Sequence, residues 1–141
     1  MRVYIAGKMT GMPDNNRPAF ATAWNLLMQA GVDAVSPHFL ESAIEIDTRS
    51  KMGTAAVYRH VLPVDTFAIS SVDAVIALPG WEDSRGAQFE KHFADLIEIP
   101  WITGVLDAER ESGEGADINL YLADCINQLK EYALASHTHR V

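Results

Sequence analysis

Three observations predict a three-layer α/β fold, flavodoxin- or Rossmann-like, with a parallel sheet of four or five strands and helices on both faces. Short apolar, β-rich runs alternate along the chain with stretches of helical periodicity, the pattern of parallel strands joined by right-handed helical crossovers. The first run, Arg2 to Ala6, ends in a glycine turn, Gly7 to Gly11. A later run, Asp73 to Leu78, breaks at Pro79-Gly80 and passes through a polar turn into a helical stretch. Ligands in such folds bind at the carboxyl ends of the strands, so the two turns should face one crevice.

Composition narrows the class. The 141 residues are 48% hydrophobic and 21% charged, which suits one globular domain over residues 1–141 with a frayed tail from Ser136 to Val141. The formal charge of −8 argues against a nucleic-acid polymer as partner, because that affinity rests on clustered Lys and Arg. Cys125 is the single cysteine, so no intramolecular disulfide forms, and its place in an apolar helical stripe predicts burial. The opening MRVYIAG reads as a strand and not a signal peptide, and no apolar run approaches the ~20 residues that cross a bilayer. A soluble, cytoplasmic protein without a membrane partner is expected. His137-x-His139 reads as solvated, and neither a metal nor a cofactor is expected.

Each element has a local cause. Pro18 suits the first turn of a helix in which Phe20, Trp24 and Leu27 share one face through Ala30, with Gly31 as its stop. Val32 to Val35 is a second strand, closed by Ser36-Pro37. His38 to Thr54 has no clear period, as in a functional loop or lid, and leaves His38 as a loop histidine. Ala55 to Ile69 is helical, kinked or divided at Pro63, with Asp65 in its latter half. After the central turn, Phe89, Phe93, Leu96 and Ile97 recur at helical spacing, which makes Phe89 a buried neighbour of Glu90. Pro100 to Val105 is a fourth strand and Asp107 to Gly115 a surface loop. A last helix from about Asp117 carries Ile118, Leu122, Cys125, Leu129 and Tyr132 on the face that packs on the sheet.

The stretch Leu78 to Glu90, LPGWEDSRGAQFE, organises the rest. Its turn places Asp83, Ser84, Arg85 and Gly86 at a helix N-terminus, where free N–H groups and the helix dipole favour an anion. Glu90 follows one turn further in. An anion site above a carboxylate suggests phosphorylated-sugar chemistry. Ser84 also fits the simpler role of helix N-cap, and Glu82 or Asp83 would repel a phosphate if turned inward. Trp81 and Met9 are of a type to stack on a base or sugar, or to pack in the core. Asp73 reads as a turn or cap residue.

Tyr4-Ile5-Ala6-Gly7, Asp65 eight residues before Asp73, and Ser84-x-Gly86-x-x-x-Glu90 together resemble the nucleoside 2-deoxyribosyltransferase-like superfamily. That superfamily includes deoxynucleoside 5′-monophosphate N-glycosidases and a group of small, often phage-encoded proteins with a Y-I-A-G-x-M-T-G start and an L-P-G-W-E-x-S-x-G-A turn. The resemblance spans roughly residues 2 to 104. It implies Glu90 as nucleophile, Asp65 as the aspartate that assists the departing base, and Tyr4 as the tyrosine that orients the glutamate. It implies substrate contacts from Gly7, Met9, Thr10, Gly11, Gly80, Trp81, Ser84, Arg85 and Gly86, and a homodimer or larger homo-oligomer. In the superfamily the position six before the glutamate is serine in relatives acting on nucleotides and acidic in those acting on nucleosides; here it is Ser84. Lys8 departs from the group's usual proline.

The residues suit that chemistry in their own right. Breaking a C1′–N bond builds positive charge on the sugar, which a carboxylate beneath C1′ stabilises or traps. The leaving base needs a proton or a hydrogen-bond donor, which a second acid supplies. The expectation is cleavage or transfer at the N-glycosidic bond of a nucleoside 5′-monophosphate. A nucleoside deoxyribosyltransferase, a catalytically silent nucleotide binder and an interaction module with an incidental crevice are the alternatives.

Overall fold

Val3 to Ala6 of the first strand, β1 (Arg2–Ala6), are buried, as is all of β3 (Ala74–Ala77). Runs apolar on both faces belong between two helical layers. The computed structural model describes residues 1–40, 53–105 and 118–138. Residues 41–52, most of the predicted irregular stretch, lie outside the described residues, as do the predicted surface loop and the last three residues of the tail.

Four parallel strands in the order β2-β1-β3-β4 form the sheet, with β2 at Asp33–Val35 and β4 at Trp101–Ile102. β1 pairs with β3 from Val3↔Ala74 to Ala6↔Ala77, and β4 with β3 at Val75↔Trp101 and Ile76↔Ile102. The pairing of β1 and β3 is tied at its start by Asp73, whose carboxylate accepts the Arg2 N–H at 2.8 Å.

Side-chain alternation divides the core into two layers. Val3, Ile5, Ala74, Ile76 and Ile102 face α1 (Arg17–Gln29) and α5 (Ile118–Thr138), meeting Phe20, Ala23 and Leu27 from one helix and Leu122, Cys125 and Leu129 from the other. Tyr4, Ala6 and Val75 face the opposite way, towards Ile69 of α3 (Thr54–Ile69) and Ala94 of α4 (Arg85–Leu96). Deleting a filled side chain such as Leu27 costs about 2–5 kcal/mol in such a core. Helix α5 packs as the spacing predicts, except that Tyr132 is exposed: the buried stripe ends at Leu129.

Helix ends follow local chemistry. Gly31, at φ 81°, terminates α1, with Val32 N–H donating to Leu27 O and Gly31 N–H to Met28 O, a Schellman motif. α4 ends the same way on Glu98 at φ 62°, with Ile99 N–H donating to Ala94 O and Glu98 N–H to Asp95 O. Before α1, Asp14, Asn15 and Asn16 are all left-handed, and Asp and Asn tolerate that region best after glycine.

Two expectations are corrected and one is narrowed. The helix over Thr54–Ile69 is not divided at Pro63, one of the two outcomes expected there. The second strand closes before Ser36-Pro37 as expected, but the chain is not irregular from His38: Pro37–Leu40 forms a one-turn helix, α2, with the Ser36 hydroxyl accepting the His38 N–H, because serine followed by proline is also a cap and first-turn pair. β4 is two residues long where Pro100 to Val105 was expected, because α5 engages the polar groups that follow. Asp124 accepts the Val105 N–H at 3.0 Å, Gln128 Nε2 donates to Thr103 O at 2.8 Å, and a Cβ on Gly104 would stand 2.5 Å from Tyr121 O.

Burial in this layer pushes the Tyr121 phenol and the Cys125 thiol up to about 12. Tyr121 also donates from its hydroxyl to Ala77 O at 2.5 Å. Both groups hold their protons more tightly folded than unfolded, so their contribution to stability is complete at neutral pH. It falls as pH rises from about 9 towards 12. Urea denaturation followed across that range should show a declining midpoint, and native Cys125 should resist a thiol reagent at pH 8 that labels the unfolded chain at once.

Candidate active site

The two turns that leave the carboxyl ends of β1 and β3 meet at one pocket of about 410 Å³, a volume that includes its solvent-open mouth. This is where the strand order reverses, between β1 and β3, the usual ligand position of a doubly wound sheet. Gly7 is there because the chain is crowded: a Cβ would lie 3.1 Å from Phe20 Cζ and 3.2 Å from Leu78 Cβ. Met9 and Thr10 follow it along the rim.

The far wall is α4. Ser84 caps it in an extended conformation, its hydroxyl accepting the Ala87 N–H at 3.1 Å. The N–H groups of Arg85 and Gly86 donate to no acceptor among the described residues, and Gly86 lines the pocket. Helix positions 87, 90 and 94 turn inward, and because Ala87 and Ala94 are small the helix lies close to its neighbours with Glu90 between them.

The near wall is α3, whose inward stripe is Val61, Asp65 and Ile69. Each helix therefore carries one acid in a stripe otherwise built of apolar residues. Asp65 and Glu90 are 4% and 6% exposed, are the buried carboxyl residues among those described, and both line the pocket. Burying a carboxyl costs several kcal/mol unless charge and hydrogen bonding compensate it, so two in one pocket are an unusual choice for packing alone. They are what acid and nucleophile chemistry requires.

Of the residues nominated from sequence, the pocket collects Gly7, Met9, Thr10, Asp65, Ser84, Gly86 and Glu90. Tyr4 is fully buried on the sheet face covered by α3 and α4. Gly11, Gly80, Trp81 and Arg85 do not line the pocket. Gly80, at φ 88°, opens a short 3₁₀ turn, Trp81 packs edge-on to Trp101 with ring centroids 5.1 Å apart, and Arg85 is exposed. Glu82 and Asp83 are also exposed and outside the pocket. His38 packs against Phe20, 4.8 Å between centroids, behind the Gly7 turn. Among the described residues no cluster of three His, Cys, Asp or Glu side chains is arranged to hold a metal.

One premise behind Glu90 is overturned. Phe89 is 47% exposed, because α4 buries alanines and Glu90, and its larger apolar side chains Phe89 and Leu96 lie on the outer face. Sequence reasoning also missed Tyr58, Val61 and Leu62 in the pocket. Their spacing ahead of Asp65, at i, i+3, i+4 and i+7, is the signal that finds them.

Residues 1–103 match the family described as a domain of unknown function, DUF4406. The chain belongs to that family. The DUF4406 match takes in both carboxyls, the Gly7 turn and the whole of α4. Among solved structures, a 2-desoxiribosyltransferase from Leishmania mexicana aligns with 82% of this DUF4406 chain and 74% of its own, at 22% identity and a TM-score of 0.48. No curated protein matches the sequence. Among the described residues no helix is long and apolar enough to cross a membrane.

The cap at Ser84 gives a test of the site's local architecture. Ser84→Ala should lower stability by about 1 kcal/mol in urea denaturation, and Ser84→Asn should restore most of it.

Proposed function

We propose that this chain cleaves or transfers at the N-glycosidic bond of a nucleoside 5′-monophosphate, with a deoxyribonucleotide as the first candidate. The observation that carries the reading is the pair of buried carboxyls, Asp65 and Glu90, lining one pocket below the free N–H groups at the start of α4. Its geometry suits a phosphorylated sugar: phosphate against the Arg85 and Gly86 N–H groups, C1′ above Glu90, base towards Asp65. Gly86 and Glu90 are four residues apart, about 6 Å along the helix, so one sugar phosphate spans them.

In this reading Glu90 is ionised and attacks or stabilises C1′ as the C1′–N bond lengthens, while Asp65 supplies the proton or hydrogen bond that the base takes with its electron pair. A buried site strengthens both interactions relative to water. Attack by water on the sugar then gives hydrolysis; attack by a second base gives transfer. Tyr4, on the sheet face beneath the same helices, is assigned to orienting Glu90. Ser84 keeps its own O–H to donate while its oxygen accepts from Ala87, and the outward Glu82 and Asp83 remove the repulsion that would oppose an anion.

Release of free base across a panel of nucleosides and nucleotides, followed by chromatography, tests the reading. Glu90→Ala and Glu90→Gln should each lower turnover at least about 100-fold, about 2.7 kcal/mol of transition-state stabilisation, with the fold intact. Asp65→Asn should be milder for bases that leave easily. The monophosphate should have the higher kcat/KM, and Ser84→Ala should narrow that gap. Near wild-type turnover in both Glu90 variants refutes the mechanism; a parent nucleoside that outperforms its monophosphate refutes the phosphate.

A homo-oligomer, at least a dimer, is part of the proposal. Val64 and Phe67 on α3 and Phe89 and Leu96 on α4 are exposed, Phe67 to 79% and Leu96 to 75%, so these two helices offer apolar side chains that association would bury. Light scattering at micromolar concentration should give at least twice the 15.5 kDa of one chain; an active species of monomer mass is the contrary result.

A further inference from the structure

We infer that Tyr58 is a specificity-determining residue, whose phenol donates to the phosphate of the ligand at the mouth of the pocket; this rests on the function proposed above. Tyr58 stands on the same face of α3 as Asp65, seven residues earlier and so about 10 Å nearer the helix start. It lines the pocket. A side chain on Gly86 would place its Cβ 3.3 Å from Tyr58 Cε1, 3.9 Å from Tyr58 Cζ and 3.9 Å from Ser84 Oγ. Cζ carries the phenol oxygen. The edge of the Tyr58 ring and the Ser84 hydroxyl therefore flank Gly86, and the phenol oxygen, one bond beyond Cζ, belongs to a side chain that lines the same pocket as Ser84 and Gly86.

Tyr58 is half-buried and its hydroxyl has no hydrogen-bond partner among the described residues. At the pocket wall that hydroxyl is free to donate to a bound ligand. The pocket has no Lys, Arg or His among its described lining residues, so an anion at this point is held by neutral donors: two hydroxyls and two backbone N–H groups. Neutral donors discriminate by number and direction. Removing one should weaken a phosphorylated ligand selectively and leave its unphosphorylated counterpart as it was.

The test measures binding of 2-deoxyribose 5-phosphate and of 2-deoxyribose to the full chain by calorimetry, for wild type and Tyr58→Phe. The phenylalanine keeps the ring against Gly86, and its thermal unfolding, expected to match wild type, reports that the packing survives. The expected result is about tenfold weaker binding of the phosphate by Tyr58→Phe with the free sugar unchanged. Unchanged phosphate binding in Tyr58→Phe overturns the inference and leaves the proposed function standing, because wild type would still prefer the phosphate. Equal loss for both ligands assigns Tyr58 to shape alone and overturns it too. A wild-type protein that shows no preference for the phosphate removes the phosphate reading and this inference together.

Discussion

The parallel pairing of β1 with β3 is the constraint from which the site follows. Its register ends with Ala6 beside Ala77, and Leu78 N–H donates to Ala6 O at 2.9 Å. Gly7 and Leu78 therefore leave the sheet together, close enough that any side chain on Gly7 would strike Leu78 and Phe20. The chain after β1 and the chain after β3 can then only diverge around a gap. That gap is the pocket, and α4 enters it with its N-terminus foremost.

Each flanking helix places one acid in its buried stripe, where a carboxyl is tolerated only with compensating interactions. Methyl-bearing side chains at positions 65 and 90 would extend the stripes of Val61 and Ile69 and of Ala87 and Ala94, with no desolvation cost. On the opposite face of the sheet α1 and α5 contribute large apolar side chains and no buried carboxyl among the described residues. The division is physical: one face of the sheet carries the larger apolar cluster, and the other combines a smaller one with the two buried carboxyls. Proteins commonly concentrate such locally unfavourable choices where they act on a ligand.

Much of this could be read in advance, for reasons that particular residues make clear. β1, β3, α1 and α5 announce themselves through apolar period and through stop residues such as Gly31. Ser84, Gly86 and Glu90 could be nominated because a strand-turn-helix places them at one sheet end, and Asp65, on the preceding helix, through the resemblance. The direction in which α4 faces could not: its spacing of Phe89, Phe93 and Leu96 imitates a core stripe, and only contact with the sheet shows that the alanines are inside. Tyr58 was readable only through Asp65, seven residues on: its helical spacing puts it on the same face, and an aromatic residue alone carries no mark of whether it meets core or pocket. The brevity of β4 depends on Asp124 and Gln128 reaching back from another helix, and no local pattern in Pro100 to Val105 encodes that.

Among the described residues the outermost strands of the sheet, β2 and β4, have three residues and two. An unpaired strand edge is a template on which another chain can add a strand, and aggregation through such edges grows with their length and flatness. Here the long, apolar strands are interior, and what lies at the rim is too short to recruit a partner ladder. The same α5 side chains that cut β4 short thus limit intermolecular strand addition, which lets the chain carry a β-rich apolar centre without presenting it to its neighbours.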